Sequence, residues 1–152
     1  MESSMRLTSS AFADGAMIPR RFTCDGQDLS PPLAWADVPN NVRSFVLLCD
    51  DPDAPGGTWH HWAVYDIPRD RAMLPEGVAP SDDGFKQATN DFSRVGYGGP
   101  CPPPGNPHRY FFKLYALDAK LNLKAGVTKP DVERAMKGHT LAHAELIGRY
   151  GR

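Results

Sequence analysis

Two stretches of the chain concentrate side chains that can accept, donate or exchange protons. In the first, a hydrophobic run leads into Asp50, Asp51 and Asp53, and the chain then returns through His60 and His61. Carboxylates and imidazoles serve in general acid–base catalysis, in hydrogen bonding to ligands and in metal binding. Asp51 and His61 stand at the facing ends of two predicted strands. If those strands are neighbours in a sheet, the carboxylate and the imidazole can come within hydrogen-bonding distance.

The second stretch is a loop over residues 96–107 that contains four glycines and five prolines. It leads into a predicted strand in which His108 and Tyr110 share one face. Glycine permits close approach of a ligand to the backbone, and proline lowers the entropy lost on ordering. The sequence therefore predicts an imidazole and a phenol side by side at a sheet edge, where both could donate hydrogen bonds to an anion.

Each stretch also has a simpler structural interpretation. Residues 51–55, Asp-Pro-Asp-Ala-Pro, form a good turn by themselves, and a proline-rich tract is commonly a spacer or a docking segment. A histidine pair at a strand start commonly places one ring in the core and one at the surface. The chain has no GxGxxG or GKS/T motif, so the glycine-rich loop is not a phosphate loop by motif. The occurrence of both stretches before histidine-bearing strands favours a pocket.

The elements that must position these residues are mostly short strands. The apolar runs are bounded by proline, glycine, asparagine and aspartate, which is typical of β-structure. Residues 44–50 are nearly all apolar and predict a central strand covered on both faces. Residues 61–67 predict a second strand, and residues 108–118 alternate clearly between two faces. Weaker strand patterns occur at residues 6–9, 21–23 and 33–35.

One helix is well signalled, and the chain reads as one domain. Thr128 and Asp131 form a capping-box-like start with proline in the first turn, and Gly138 supplies the C-terminal stop. Residues 141–150 alternate like a strand, although the intervening residues are good helix formers, and we predict a strand. No internal repeat, charge block or linker divides the chain, so residues 1–152 are predicted as a single β-rich domain.

The composition excludes several function classes. With 17 basic and 18 acidic residues, the chain lacks the basic excess of a nucleic-acid-binding domain. No run of about 20 apolar residues predicts a membrane-spanning helix. Residues 1–6 lack the basic start and apolar run of a signal peptide. The three cysteines, Cys24, Cys49 and Cys101, are odd in number and widely spaced, so we expect unpaired thiols and a cytoplasmic protein.

The order of the motifs resembles the phosphatidylethanolamine-binding protein family, in particular its bacterial and archaeal kinase-inhibitor-like branch. The matching motifs are residues 51–55, residues 59–61 and the glycine- and proline-rich loop that ends at residues 108–110. Residues 30–35 and 144–150 also resemble that branch. The resemblance implies a mainly β fold. It is an antiparallel β-sandwich with one or two short peripheral helices and a small anion-binding pocket at one end.

The resemblance also implies which residues form the pocket. They are Asp51, His61, His108 and Tyr110, with Asp53, Trp59, Gly98, Gly99 and Pro100 as walls. Imidazoles and a phenol would donate to a phosphate-bearing headgroup or a phosphorylated residue, while Asp51 accepts a hydrogen bond from a histidine. We expect no cofactor and modest, pH-sensitive affinity, because no lysine or arginine belongs to this set.

Other functions stay open from the sequence alone. The protein could regulate a partner as a kinase or protease inhibitor, and it could form a homodimer. A hydrolase could use the same acid–base groups, although no nucleophile signature occurs and Cys101 is the thiol in the pocket loop. His60, His61, His108 and Asp51 could bind a metal, but no HxxxH or HxH spacing supports it. We expect a binding protein and not an enzyme.

Overall fold

The computed structural model describes residues 4–81 and 84–152. The prediction for the extreme N-terminus therefore falls partly on residues 1–3, which lie outside the described part. The strands are β1 (Arg6–Thr8), β2 (Leu33–Ala36), β3 (Ser44–Asp51), β4 (Trp59–Pro68), β5 (Met73–Leu74), β6 (Lys86–Gln87), β7 (His108–Leu117) and β8 (Thr140–Tyr150). A 3-10 helix spans Arg20–Phe22, and one α-helix, α1, spans Lys129–Met136.

The strands form two antiparallel sheets. The smaller sheet has the order β1-β2-β5, and the larger has the order β6-β4-β3-β7-β8. A hydrophobic core lies between them, with Leu7 and Trp35 of the smaller sheet packed in one cluster with Leu47 and Phe112 of the larger. The predicted antiparallel β-sandwich is confirmed.

Strand β3 lies at the centre of the larger sheet and is buried along its whole length. Phe45 and Leu47 face the core between the sheets, whereas Val46 and Leu48 face a second cluster that includes Val132 of helix α1. Both faces of this strand are therefore dry, which is why its sequence is nearly all apolar instead of alternating. The prediction of a central, doubly covered strand is confirmed.

Helix α1 begins and ends as its sequence predicts. The Asp131 carboxylate accepts hydrogen bonds from the backbone N–H and the hydroxyl of Thr128, which satisfies groups left free at the helix start. Gly138 follows the helix with a φ of 84°, a conformation that glycine adopts without strain. None of the helices in the described residues is long and apolar enough to cross a membrane.

The prediction of a strand at residues 21–23 is wrong. The backbone N–H of Phe22 donates to the carbonyl of Pro19, and the backbone N–H of Thr23 donates to the carbonyl of Arg20. These two hydrogen bonds make a 3-10 turn. The Thr23 hydroxyl also donates to the Arg20 carbonyl and closes the turn. Short apolar–polar patterns fit either structure, and here the turn buries Phe22 while leaving Arg20 and Arg21 exposed.

The strand prediction for residues 141–150 is confirmed by β8. This strand pairs with β7 along nearly its whole length, and Ala142, Ala144 and Leu146 face the core. Burial of one alternating face outweighs the helix propensity of the residues between them.

Replacement of a core residue of β3 should strongly destabilise the sandwich. Leu47 is fully buried, so Leu47→Ala should lower the free energy of unfolding by about 2–5 kcal/mol, measured by urea denaturation. Leu141→Ala is the matched control, because Leu141 is 42% exposed. This substitution should lower the free energy of unfolding by well under 1 kcal/mol. Equal losses for the two variants would contradict the assignment of β3 to the core.

Candidate functional site

A cavity of about 300 Å³ lies where the end of β3 meets the starts of β4 and β7. Its lining residues are Asp51, Ala54, Pro55, Trp59, His61, Phe92, Cys101, Pro102, Pro103, His108 and Tyr110. The structure thus brings together Asp51, Trp59, His61, His108 and Tyr110 of the predicted set. Most of the remaining lining residues are apolar, so the cavity has few polar atoms on an otherwise hydrophobic surface.

Asp51 and His108 form a hydrogen-bonded pair on one wall of the cavity. One carboxylate oxygen of Asp51 lies 2.7 Å from Nδ1 of His108, and the other accepts the backbone N–H of Asp53 at 2.8 Å. A carboxylate accepts hydrogen bonds, so Nδ1 of His108 carries the proton. Asp51 therefore fixes the tautomer and orientation of His108. Within the described residues, Nε2 of this ring has no hydrogen-bond partner.

A β-bulge directs His61 into the same cavity. Cys49 of β3 pairs with Trp62, but the next residue, Asp50, pairs with His60, so His61 has no partner across the ladder. This extra residue changes the alternation, and His60 points to the outer face of the sheet while His61 points inward. The bulge is therefore the feature of β4 that places an imidazole next to the end of β3.

His61 is held as a neutral ring with a defined tautomer. Its Nδ1 donates to the carbonyl of Gly98 at 2.6 Å, and the backbone N–H of Gly98 donates back to the His61 carbonyl at 3.0 Å. Burial lowers the pKa of His61 below its ordinary value, against the opposing effect of the Gly98 hydrogen bond and the nearby carboxylates. The remaining nitrogen, Nε2, has no partner among the described residues.

Tyr110 forms the base of the cavity with its ring against His61. The two ring centroids lie 5.2 Å apart in an edge-to-face arrangement. The hydroxyl of Tyr110 is buried and has no partner in hydrogen-bonding geometry in the described chain, although the Asp51 carboxylate lies near it. Burial, with the charge of Asp51, raises the pKa of Tyr110 well above its ordinary value, so the phenol stays protonated.

One aromatic residue of the cavity wall, Phe92, was not identified from the sequence. Phe92 packs against Trp59 with centroids 5.4 Å apart and against His61 at 5.5 Å. Phe92 lies outside the strands and outside both polar stretches, so no periodicity or motif in the sequence marks it. Pro102 and Pro103 also line the cavity. They belong to the proline-rich loop that the sequence did single out.

Gly98, Gly99 and Pro100, which were predicted as walls, are not among the lining residues of the cavity. A Cβ on Gly98 would overlap the ring of Phe92, and one on Gly99 would overlap the Phe22 carbonyl. Glycine is therefore required for close packing behind the wall. Gly98 orients the His61 ring through its carbonyl, so its contribution to the cavity is positional.

Asp53 also lies outside the cavity lining. Its carboxylate accepts hydrogen bonds from the backbone N–H, Nε and Nη2 of Arg109 at 2.8–2.9 Å. The Arg109 side chain lowers the pKa of Asp53 to about 2. This ion pair joins the β3–β4 loop to the start of β7 and so keeps Asp51 opposite His108.

The expectation of three unpaired thiols is wrong. Cys24 and Cys101, whose Cα atoms are 5.4 Å apart, form a disulfide, whereas Cys49 is free and buried as expected. The two cysteines are 77 residues apart, so their proximity is a product of the fold and is invisible in the spacing. Cys101 lines the cavity, and the guanidinium of Arg152 lies 2.8 Å and 3.2 Å from the two sulfurs. The cysteine argument for a cytoplasmic protein therefore no longer holds.

A buried ion network lies on the outer face directly behind the cavity. Asp50 bonds to Nδ1 of His60 at 2.9 Å and to Nζ of Lys129 at 2.8 Å. Burial opposes ionisation of Asp50, but the hydrogen bond to His60 and the charge of Lys129 outweigh it and lower its pKa. Successive residues of β3 thus place one carboxylate in each of two separate sites.

The residues proposed as alternative metal ligands are divided between these sites. His60 faces outward, while His61, His108 and Asp51 face the cavity. Within residues 4–81 and 84–152, no group of three or more histidine, cysteine, aspartate or glutamate side chains is arranged to hold a metal ion.

Solved structures share this two-sheet antiparallel β-sandwich. A model of the family described as phosphatidylethanolamine-binding protein matches residues 8–151. The chain belongs to the phosphatidylethanolamine-binding protein family, as the sequence motifs implied.

Relatives of known sequence or structure agree with this assignment. A UPF0098 protein of Methanothermobacter thermautotrophicus is 51% identical over 151 residues, which cover 97% of this chain and 99% of that protein. The crystal structure of a putative phosphatidylethanolamine-binding protein homologue, CT736 of Chlamydia trachomatis, is 42% identical, covers 99% of both chains and has a TM-score of 0.91. YbcL of E. coli, described as a new member of the mammalian family, is 32% identical, covers 97% of this chain and 98% of its own, and also has a TM-score of 0.91.

The disulfide should stabilise the cavity wall and should be detectable by thiol titration. Denatured protein should show one titratable thiol without reductant and three after reduction, because Cys24 and Cys101 are joined. The double variant Cys24→Ser/Cys101→Ser should lose about 2–4 kcal/mol of unfolding free energy, since the closed loop constrains the unfolded chain. Cys49→Ser is the control for the thiol count. With the disulfide intact, this variant should show no titratable thiol after denaturation without reductant. Three thiols without reductant would contradict the pairing.

Removal of Lys129 should expose the cost of burying Asp50. Lys129→Met should lower the unfolding free energy by about 3 kcal/mol at neutral pH, because the carboxylate loses a buried partner. The pKa of Asp50 is lowered from 3.8, so the stability from its ionised form is present above about pH 4 and is lost as the pH falls further. The difference between variant and wild type should therefore shrink in urea titrations at about pH 3. The exposed Lys120→Met is the control, and a pH-independent difference would contradict this role.

Proposed function

We propose that this protein binds small molecules that carry a phosphate group in the cavity between Asp51, His61 and His108. The observation that carries the proposal is the Asp51–His108 pair, which holds an imidazole with Nε2 free at a mostly apolar cavity. A protonated imidazole beside a carboxylate is a charge-assisted donor, the kind of group that recognises phosphate oxygens. Membership of the family supports a binding or regulatory role.

The walls support recognition of one small group and not of a long apolar chain. Trp59, Phe92, Pro102 and Pro103 surround the polar atoms, and the volume of about 300 Å³ lies at the low end for small-molecule sites. Among the described residues, no lysine or arginine lines the cavity. We therefore expect modest affinity that depends on the protonation of histidine.

The cysteines support binding without covalent chemistry. Cys101, the thiol that the sequence placed near the pocket, is held in a disulfide. Burial raises the pKa of Cys49 well above its ordinary value, so it is not a reactive thiolate. We accordingly expect no turnover of phosphate esters above background.

His108→Ala should weaken binding of phosphoethanolamine by about 1–3 kcal/mol, the cost of losing a hydrogen bond to a charged group. Titration calorimetry at about pH 6.5, near the ordinary histidine pKa, measures the difference. His143→Ala is the matched control, because His143 is exposed on β8 outside the cavity.

Two results would oppose the proposal. Unchanged affinity in His108→Ala, with the fold intact by circular dichroism, would remove His108 from the site. Absence of binding to wild-type protein by phosphate, phosphoethanolamine and phosphotyrosine would remove the anion-binding function altogether.

A further inference from the structure

The two histidines that line the cavity present the same kind of atom to it. His61 and His108 both use Nδ1–H as a donor, to the Gly98 carbonyl and to the Asp51 carboxylate. A neutral imidazole has one donor and one acceptor nitrogen, so Nε2 of each ring is then an acceptor. Both rings line the cavity, and neither Nε2 has a partner in the described residues. In their neutral forms the two rings therefore offer lone pairs and not donors to the cavity.

This arrangement is unfavourable for a fully ionised anion. The oxygens of a dianionic phosphate would meet two acceptor nitrogens beside the buried charge of Asp51. The hydroxyl of Tyr110, which also lines the cavity, is itself buried next to that carboxylate. Repulsion between acceptors in a dry site costs more than it does in water. A phosphate can therefore bind well only if protons enter with it.

The surroundings of the His61 and His108 rings differ in how well they can compensate a positive charge on the ring. His108 contacts Asp51 on β3 and lies near Asp53 of the following loop, so its protonated form is paired with negative charge. His61 is more deeply enclosed, between the Gly98 carbonyl and the rings of Phe92 and Tyr110, with Asp50, Asp51 and Asp91 as more distant charges. A positive charge on His108 would thus lie against the Asp51 carboxylate, while His61 has no carboxylate in hydrogen-bonding contact and keeps Nε2 as an acceptor.

We propose that the cavity selects phosphate monoesters in their singly protonated form, with the P–OH group donating to Nε2 of His61. The protonated ring of His108, paired with Asp51, donates from Nε2 to a second phosphate oxygen. This inference rests on the proposed function and narrows its ligand class. A phosphodiester, such as the headgroup of a phospholipid, has no P–OH at neutral pH and lacks the required donor. A sulfate monoester lacks it as well.

The first test compares methyl phosphate with methyl sulfate, which has similar shape and no titratable proton. At about pH 7.5 most methyl phosphate is dianionic, because its second pKa is about 6. Calorimetry in two buffers of different protonation enthalpy should show uptake of one to two protons per methyl phosphate bound. Methyl sulfate should bind at least about tenfold more weakly, since it leaves the acceptor of His61 unpaired. Equal affinity for the two ligands, or no proton uptake, overturns the inference.

The second test distinguishes a free phosphate monoester from a phosphodiester of the kind found in lipid headgroups. Phosphoethanolamine is a monoester and glycerophosphoethanolamine a diester, and both carry the same ammonium group. The monoester should bind at least about tenfold more tightly, for the same unpaired acceptor. Equal or tighter binding of the diester assigns the site to lipid headgroups and overturns the inference.

A variant tests the role of His61 directly. The amide of His61→Gln can rotate to present either its oxygen or its N–H, so it should accept or donate as the ligand requires. The preference for methyl phosphate over methyl sulfate should fall towards unity, whereas His143→Gln should retain it. An unchanged preference in a folded His61→Gln protein counts against the inference. The wild-type ligand comparisons stand by themselves if the variant does not fold.

Anion binding and selection of the protonated monoester are distinguished by different outcomes. If methyl phosphate does not bind wild-type protein at any pH between about 6 and 8, where histidine and phosphate both titrate, the proposed function fails together with this inference. If it binds without proton uptake and without preference over methyl sulfate, anion binding stands and only the selection of the protonated monoester is wrong.

Discussion

Burial of two adjacent carboxylates at the end of β3 determines much of the surrounding structure. A buried charge is tolerated only with partners, so Asp50 and Asp51 each need hydrogen-bond donors on their own side of the sheet. Asp50 obtains them from His60 and from Lys129 of the helix packed on the outer face. Asp51 obtains them from His108 and from the loop that follows β3. The helix, the bulge and the loop are thus tied to the same pair of residues.

The division of polar and apolar groups in the cavity explains why its hydrogen bonds matter so much. The walls are aromatic rings and prolines, which offer few polar atoms to hold water molecules. A ligand atom that lacks a hydrogen-bond partner in the cavity therefore has few water molecules to replace that partner. Gly98 and Asp51, which contact only the Nδ1 side of the two rings, consequently determine what the Nε2 side offers to a ligand. Backbone and carboxylate groups behind the histidines thus fix the tautomers of both rings.

Local patterns predicted the parts of the structure that depend on nearby residues. The dry strand β3, the capped helix and the alternating β8 each follow from neighbours within a few positions. The bulge at His61 could not be predicted, because it is a property of the pairing between β3 and β4 and leaves the apolar pattern intact. The Cys24–Cys101 disulfide and the position of Phe92 are long-range results of the same kind. The strand expected at residues 21–23 failed because three residues carry too little periodicity.

The position of β3 between β4 and β7 has a consequence for how the chain folds. Asp51 and His61 belong to a hairpin of neighbouring strands, but His108 joins them only when β7 closes on β3 from about sixty positions along the chain. Long-range pairing of this kind is slow, because loop-closure entropy is lost before the contacts form. The cavity is therefore complete only once this long-range pairing has formed. A ligand that binds it recognises the native state and neither the hairpin nor a partly folded intermediate, and so shifts the folding equilibrium by mass action.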